Sequence, residues 1–261
     1  MQFKSPYFKF NGKSSRDFQL RLCQIGSKDS TDLFGLSRTI QKETTGLIHS
    51  ITSMTYSDVT IDLTLVKTDG NVPLPMSDKD KFEIISWLFQ DDFKPFISED
   101  DESKIYYAIF TKGSNYQNGL KQGYINVTMM LNAPCAFSPI NTGIFNVKGE
   151  MLVEITNTSN VGDYSEPDFE FQLLGQATSF KIENLNTGDV MSFEGLPVET
   201  HIQAYNEGMK QLLCSNNPSL NIRKFLVDKK WLRLAKGVNQ LRITTPSAKV
   251  AIVGQSKIAL C

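Results

Sequence analysis

Histidine is scarce in this chain and cysteine is scattered. His49 and His201 are the only imidazoles, and Cys23, Cys135, Cys214 and Cys261 stand far apart with no Cys-x-x-Cys pair. Neither histidine lies at ligand spacing from a cysteine or from the other, so the sequence offers no zinc donor set. The same scatter argues for reduced thiols over a disulfide framework. An excess of one charge is also missing: 27 Lys and Arg against 28 Asp and Glu leave a net charge of -1, which gives no electrostatic reason to seek nucleic acid or anionic membrane. No apolar run approaches the roughly 20 residues that a membrane helix needs. The start, MQFKSPYFKFNGKSSRDF, lacks the continuous apolar core of a secretory signal. The expectation is a protein made and folded in a cytoplasm.

Catalytic signatures are missing as well. There is no Gly-x-Ser-x-Gly elbow and no Gly-x-x-x-x-Gly-Lys-Ser/Thr phosphate loop. Acids are adjacent at Asp91 and Asp92, at Asp100 and Asp101, and close at Glu166 and Asp168. Surface acids of this kind read as solvated, and the SEDDES run at 98–103 has no turning glycine for a calcium loop. His201, on the alternating stretch ETHIQAY, has no neighbour to make it a general base. These absences predict no catalytic residue, no metal, no cofactor and no enzyme.

What is present is β periodicity. The stretch 123–139, GYINVTMMLNAPCAFSP, begins as a strand in which Ile125, Val127, Met129 and Leu131 alternate with Tyr124, Asn126, Thr128 and Met130. Pro134 and Pro139 then interrupt it. A chain of 261 residues suits two domains of ordinary size, and this stretch is the natural boundary, dividing 1–134 from 135–261. In the first part, Asn11-Gly12 predicts a tight turn between short strands, 18–25 and 46–65 read as strands, and Asp69-Gly70 closes a hairpin. KIYYAIF is another strand, and the polar segment 112–122 reads as a hairpin tip.

One helix stands among these strands. Ser77 is placed to cap it, with Asp80 three residues on as the capping-box acid. Phe82, Ile85, Leu88 and Phe89 fall on one stripe, widened by Ile84 and Trp87, which predicts a helix packed on more than one side. Trp87 therefore reads as a core or subunit-contact residue, with a ligand platform as the weaker alternative. After Pro139 the pattern is almost purely β. Candidate strands at 145–155, 169–174, 179–184, 190–193, 199–205, 220–227, 240–244 and 249–253 predict a sandwich. Tyr164, Tyr205 and Trp231 are the aromatics available there as a sugar platform, although core packing explains a tryptophan beginning a strand equally well.

These residues support a family resemblance. Phe8-Lys9-Phe10-Asn11-Gly12 with Ser14, Ser15, Asp17 and Phe18 resembles the opening motif of the distal tail proteins of long-tailed, non-contractile bacteriophages. The capped helix ending near Trp87-Leu88, the strand ending at Ala133-Pro134, and Trp231-Leu232-x-Leu followed by Gly237-x-Asn239-x-Leu241 are similar to that family in order and spacing. Ile202–Asn206 and the polar loop from Cys214 to Pro218 depart from it.

The resemblance implies a mainly β protein with two parts. Its N-terminal β-sandwich or split barrel, with one helix, closes into a homohexameric ring. Its C-terminal β-sandwich is like galectins and carbohydrate-binding modules. It further implies a structural virion protein at the tail tip, assembled in the host bacterial cytoplasm. The implied partners are the tail-tube protein, a tail-associated tip or fibre protein and a receptor-binding protein, with DNA only passing through the lumen and no membrane contact. Ring closure needs two unlike patches, and Trp87, Asn115, Tyr116 and Asn118 are the candidate subunit contacts. The alternative function is a host cell-wall carbohydrate-binding adhesin module of the tail tip.

Overall fold

The computed structural model describes residues 3–23, 38–45, 48–117, 123–162, 164–206 and 210–259. Its first strands are β1 (Phe8–Phe10), β2 (Lys13–Ser14), β3 (Leu20–Leu22), β4 (Arg38–Thr45), β5 (Ile48–Tyr56), β6 (Thr60–Asp69) and β7 (Val72–Pro73). Helix α1 (Asp78–Leu88) precedes β8 (Lys94–Ser98), β9 (Tyr106–Gln117), β10 (Gly123–Leu131) and β11 (Cys135–Phe137). The remainder is β12 (Asn141–Asn157), β13 (Tyr164–Ser165), β14 (Asp168–Leu173), β15 (Phe180–Asn184), β16 (Asp189–Phe193), β17 (His201–Tyr205), β18 (Gln211–Cys214), β19 (Leu226–Lys229), β20 (Leu234–Ala235), β21 (Gly237–Gly254) and β22 (Lys257–Ala259). The protein is mainly β, and the chain divides into two compact units. One holds the described residues up to Phe137 together with Ala259, and the other is Ser138–Ile258.

The first unit is an antiparallel eight-stranded sheet in the order β2-β1-β8-β9-β10-β6-β3, with β7 added to β6. Asn11 and Gly12 both take positive φ, 48° and 77°, and join β1 to β2 as the sequence predicted. The predicted strand at 18–25 is shorter than expected. Its first residue ends a 3-10 turn, Ser15–Phe18, Gln19 is left-handed, β3 holds only Leu20–Leu22, and residues 24–25 lie outside the described ones. In β10 the alternation is realised: Gly123, Ile125, Val127, Met129 and Leu131 are buried, with β9 on one side and β6 on the other.

The core of this unit is aromatic, and Trp87 is at its centre. The indole, 4% exposed, stacks on Phe18 at 4.3 Å and on Phe8 at 5.6 Å, and meets Phe10 edge-on. Its Nε1–H donates to the Phe10 carbonyl at 2.9 Å, so the one polar atom of the ring is satisfied in the core. The acidic 98–103 run lies largely in an exposed loop, as expected, and it also clasps the N-terminal segment. Glu99 accepts from the Arg16 guanidinium at 2.7 Å, Glu102 from Lys9 at 2.7 Å, and Asp100 from the Lys4 backbone at 3.3 Å.

In the second unit the two strands predicted at 240–244 and 249–253 are one, the 18-residue β21. Its early half pairs with β15 and its later half with β14, while β12 follows it on the opposite edge for its whole length. A register shift between Val147 and Gly149 faces Pro246, which has no N–H to give to the ladder, and Gly149 takes a φ of 76° to make the bulge. The sheet order β18-β17-β14-β21-β15-β16-β19 thus hangs two flanks from one strand. The flanks face each other, because Phe171 of β14 stacks on Phe180 of β15 at 3.8 Å and touches Phe193 of β16. This builds the sandwich core.

One buried charge stands out here. Asp189 is fully buried and receives Arg233 at 2.9 and 3.0 Å and Lys230 at 2.8 Å. Burial by itself would push its carboxyl up, but the hydrogen bonds from Arg233 and Lys230 outweigh it and hold the group at about 2. A carboxyl held below its ordinary value of 3.8 stabilises the fold above that pH and ceases to do so as pH falls toward 2.

Two outcomes are expected. Trp87→Ala removes the stacked indole and its hydrogen bond to the Phe10 carbonyl, so chemical denaturation should show the first unit destabilised by about 3–5 kcal/mol. Asp189→Asn should lower the melting temperature of the second unit at neutral pH, and should flatten its decline between pH 4 and pH 2, as followed by calorimetry.

Candidate assembly surface

Helix α1 is set by its cap. Ser77 accepts from the Asp80 backbone at 3.2 Å and Asp80 accepts from the Ser77 backbone at 2.8 Å, the reciprocal pair the sequence predicted. Asp80 also takes Lys67 of β6 at 2.7 Å. That hydrogen bond leads in holding its carboxyl at about 2, and it ties the first turn to the sheet. At the far end the Phe89 backbone donates to Ile85, and Trp87 reaches Phe10.

The rotation that this imposes reverses part of the expected packing. Ile84, Trp87 and Leu88 point inward, whereas Phe82 is 72%, Ile85 50% and Phe89 38% exposed. The stripe expected to face the core is divided. One side packs on the sheet, and three large apolar side chains face outward.

Beside these side chains lies an apolar groove of about 290 Å³. Ile84, Ile85, Leu88 and Phe89 form its helical wall, and Thr111–Ser114 of β9 with Ile125 and Val127 of β10 form the sheet side. Gly113 lets the Phe89 ring lie against the strand, since a Cβ there would stand 3.0 Å from the ring edge. The rim is polar and basic, with Lys81 and Lys112. Next to the groove β9 changes its neighbours. Tyr106 and Tyr107 pair with β8 and Ala108 with both β8 and β10, but from Ile109 to Gln117 the strand pairs, among the described residues, with β10 alone. An apolar groove and an open strand edge therefore lie side by side.

The sequence-selected residues fall in different places. Trp87 is in the core, so it shapes this surface by orienting α1 and does not offer its ring to a partner. Asn115 and Tyr116 are in the open-edged part of β9, their backbones opposite Ile125 and Tyr124, and Asn118 lies outside the described residues. Phe82, Ile85 and Phe89 belong to the stripe predicted to pack on more than one side, and they are the part of it that the sheet does not cover. The signal that separates them is the width of the apolar band, too broad for a helix lying on a single sheet.

The three candidate sugar-platform aromatics do not stack on one another. Tyr164 lies 4.6 Å from the Arg233 guanidinium, the Tyr205 hydroxyl approaches Gln203 at 3.4 Å, and Trp231 lines a small cleft with Lys210, Leu212, Arg223, Leu226 and Lys229. His201 stands 3.6 Å from Glu170 on the neighbouring strand. Among the described residues no three His, Cys, Asp or Glu side chains gather as a metal site would require, and no helix is long and apolar enough to cross a membrane.

Comparison with known proteins bears on this surface directly. A family model described as the phage tail protein N-terminal domain matches residues 3–133, nearly all of the unit that carries the groove. The fold is similar over 97% of this chain and 99% of the other to the Dit protein of phage SPP1, described as a paradigm of the hub adsorption apparatus in phages infecting Gram-positive bacteria, with a TM-score of 0.63 at 13% identity. It is also similar to a chain of the phage P2 baseplate in its activated conformation with calcium, over 95% of this chain and 97% of that one, with a TM-score of 0.51 at 10% identity. The same baseplate with strontium gives 0.52 at 11% over the same shares. No curated protein matches the sequence.

Replacing the Ser77 hydroxyl tests how firmly the helix bearing this surface is held. Ser77→Ala should cost about 1 kcal/mol in chemical denaturation of the first unit.

Proposed function

The chain belongs to the phage tail protein N-terminal domain family and carries the fold of the Dit tail proteins, and on that premise we propose that it is the distal tail hub of a long, non-contractile phage tail. In this reading six copies close into a ring that continues the tail tube. The first unit, with the sequence-derived division at 134/135, builds the ring, and the second meets peripheral proteins. The tail-tube protein binds on one side and the tip, fibre or receptor-binding proteins on the other. The role is structural and non-catalytic, in the virion at the tail tip, after assembly in the host cytoplasm.

The observation that carries this reading is the pairing of the α1 groove with the open edge of β9. Lying side by side, they form one patch on the unit, and a ring requires a heterologous contact in which such a patch meets an unlike one on the next copy. Exposed Phe82 and Ile85 supply apolar area, and the edge supplies unpaired backbone groups for strand addition by a neighbour. Asn115 and Tyr116 are the proposed backbone contributors. DNA passage through such a ring suits a chain of net charge -1, because a strongly basic lumen would hold phosphates through counterion release. The second reading, a wall-carbohydrate adhesin, concerns the second unit and is compatible with the ring.

Light scattering at rising concentration, with and without the tube protein, provides the test. The wild-type chain should reach the mass of a hexamer, and negative-stain images should show closed rings. The pair Phe82→Asp and Ile85→Asp should stay monomeric while its melting temperature stays close to wild type, because both side chains are exposed. A wild-type chain that is monomeric under every condition, tube protein included, would overturn the ring.

A further inference from the structure

Charge in this chain is balanced overall but not locally. Between Asn221 and Gly237 there are six basic residues, Arg223, Lys224, Lys229, Lys230, Arg233 and Lys236, against the single acid Asp228. The structure sorts these cations. Lys230 and Arg233 turn to the buried Asp189, and Asp228 is occupied by the Ser192 hydroxyl at 2.6 Å. Arg223 and Lys229 have no ion pair among the described residues, and both line the cleft of Trp231. Lys210, half-exposed and ion-paired with Glu166 at 3.4 Å, completes the cationic rim.

The cleft is built, not incidental. The Ile222–Phe225 3-10 turn, capped by the Asn221 side chain on the Arg223 backbone at 3.2 Å, sets the start of Arg223. The Trp231 indole is half-buried and packs against the core of the second unit, with Leu212 and Leu226 beside it. Asn206, fully buried, donates from its side chain to the Leu232 carbonyl and fastens the chain directly after the indole. The cavity is about 320 Å³, small for a drug-sized ligand and suited to a single ring with its substituents.

An indole face beside apolar leucines takes the C–H face of a pyranose by the burial of apolar area that drives such contacts. It would not need three cations to do so. Lys and Arg at the rim are the partners of phosphate, through charge-assisted hydrogen bonds. Nucleic acid also carries phosphate, but a strand-binding groove needs several stacking platforms along an extended basic track, and this site has one indole in an otherwise balanced chain. We propose that the Trp231 cleft binds a phosphodiester-linked sugar polymer, seating one sugar on the indole and the flanking phosphates on Arg223, Lys229 and Lys210. The site belongs to the second unit and does not depend on ring formation.

Isothermal titration of the intact chain with a short synthetic oligomer of glucose units joined through phosphodiesters tests it. Three results are expected: saturable binding that weakens with added salt, at least about tenfold weaker binding to the Arg223→Glu, Lys229→Glu double variant, and similar weakening when the oligomer lacks phosphate. The two substitutions are at exposed positions, so an unchanged melting temperature should accompany the loss. Any of four results would overturn the proposal: no heat at millimolar oligomer, undiminished binding by the double variant, equal affinity for the phosphate-free oligomer, or equal affinity for oligothymidylate.

Discussion

The first unit depends on where one indole can go. Trp87 is the last large side chain but one of an eleven-residue helix, and its neighbours Phe8, Phe10 and Phe18 come from a segment about seventy residues earlier. Stacking against two of those rings while donating to the Phe10 carbonyl leaves the helix one rotation about its axis. Everything else on α1 follows from that rotation. Ile84 and Leu88 are carried inward with the indole, and Phe82, Ile85 and Phe89 are carried out. The cost of exposing three apolar side chains is accepted because the aromatic core is worth more, and the outcome is a surface that an isolated copy leaves uncovered.

The second unit answers a different constraint. A sandwich needs two faces, and here one continuous strand, β21, serves both by way of a bulge opposite Pro246. The aromatic contacts of Phe171 with Phe180 and Phe193 hold the flanks together. The buried Asp189 fastens the segment that carries Lys230 and Arg233 to the start of β16. That pairing engages two of the segment's cations and leaves Arg223 and Lys229 beside Trp231 with no ion pair among the described residues. A single buried carboxylate thereby helps decide which charges remain available for a ligand.

Local chemistry was readable in the sequence wherever it acts over a few residues. The capping box at Ser77 and Asp80, the positive-φ turn at Asn11-Gly12 and the alternation of Ile125, Val127, Met129 and Leu131 are all realised, because each is decided by neighbours in the chain. What was not legible concerns contacts between distant segments. The acids at 98–103 are largely exposed, as expected, but their partners, Lys4, Lys9 and Arg16, are more than eighty residues away and could not be named. The candidate surface was only half legible: the width of the apolar band said that α1 packs on more than one side, but not that Phe82 and Ile85 face outward while Trp87 faces in.

By itself the sequence determined that this is a mainly β protein with one capped helix, and that its residues resemble the distal tail proteins, because periodicity, turn chemistry and motif order are properties of the chain alone. Only the tertiary structure decided which side of α1 faces outward, that β9 has an open edge beside an apolar groove, that β21 is one bent strand in place of two, and that Arg223 and Lys229 stand beside Trp231 with no ion pair among the described residues. The reason is common to all four. Each depends on which distant groups compete for the same side chain or backbone, and that competition is settled when the chain packs.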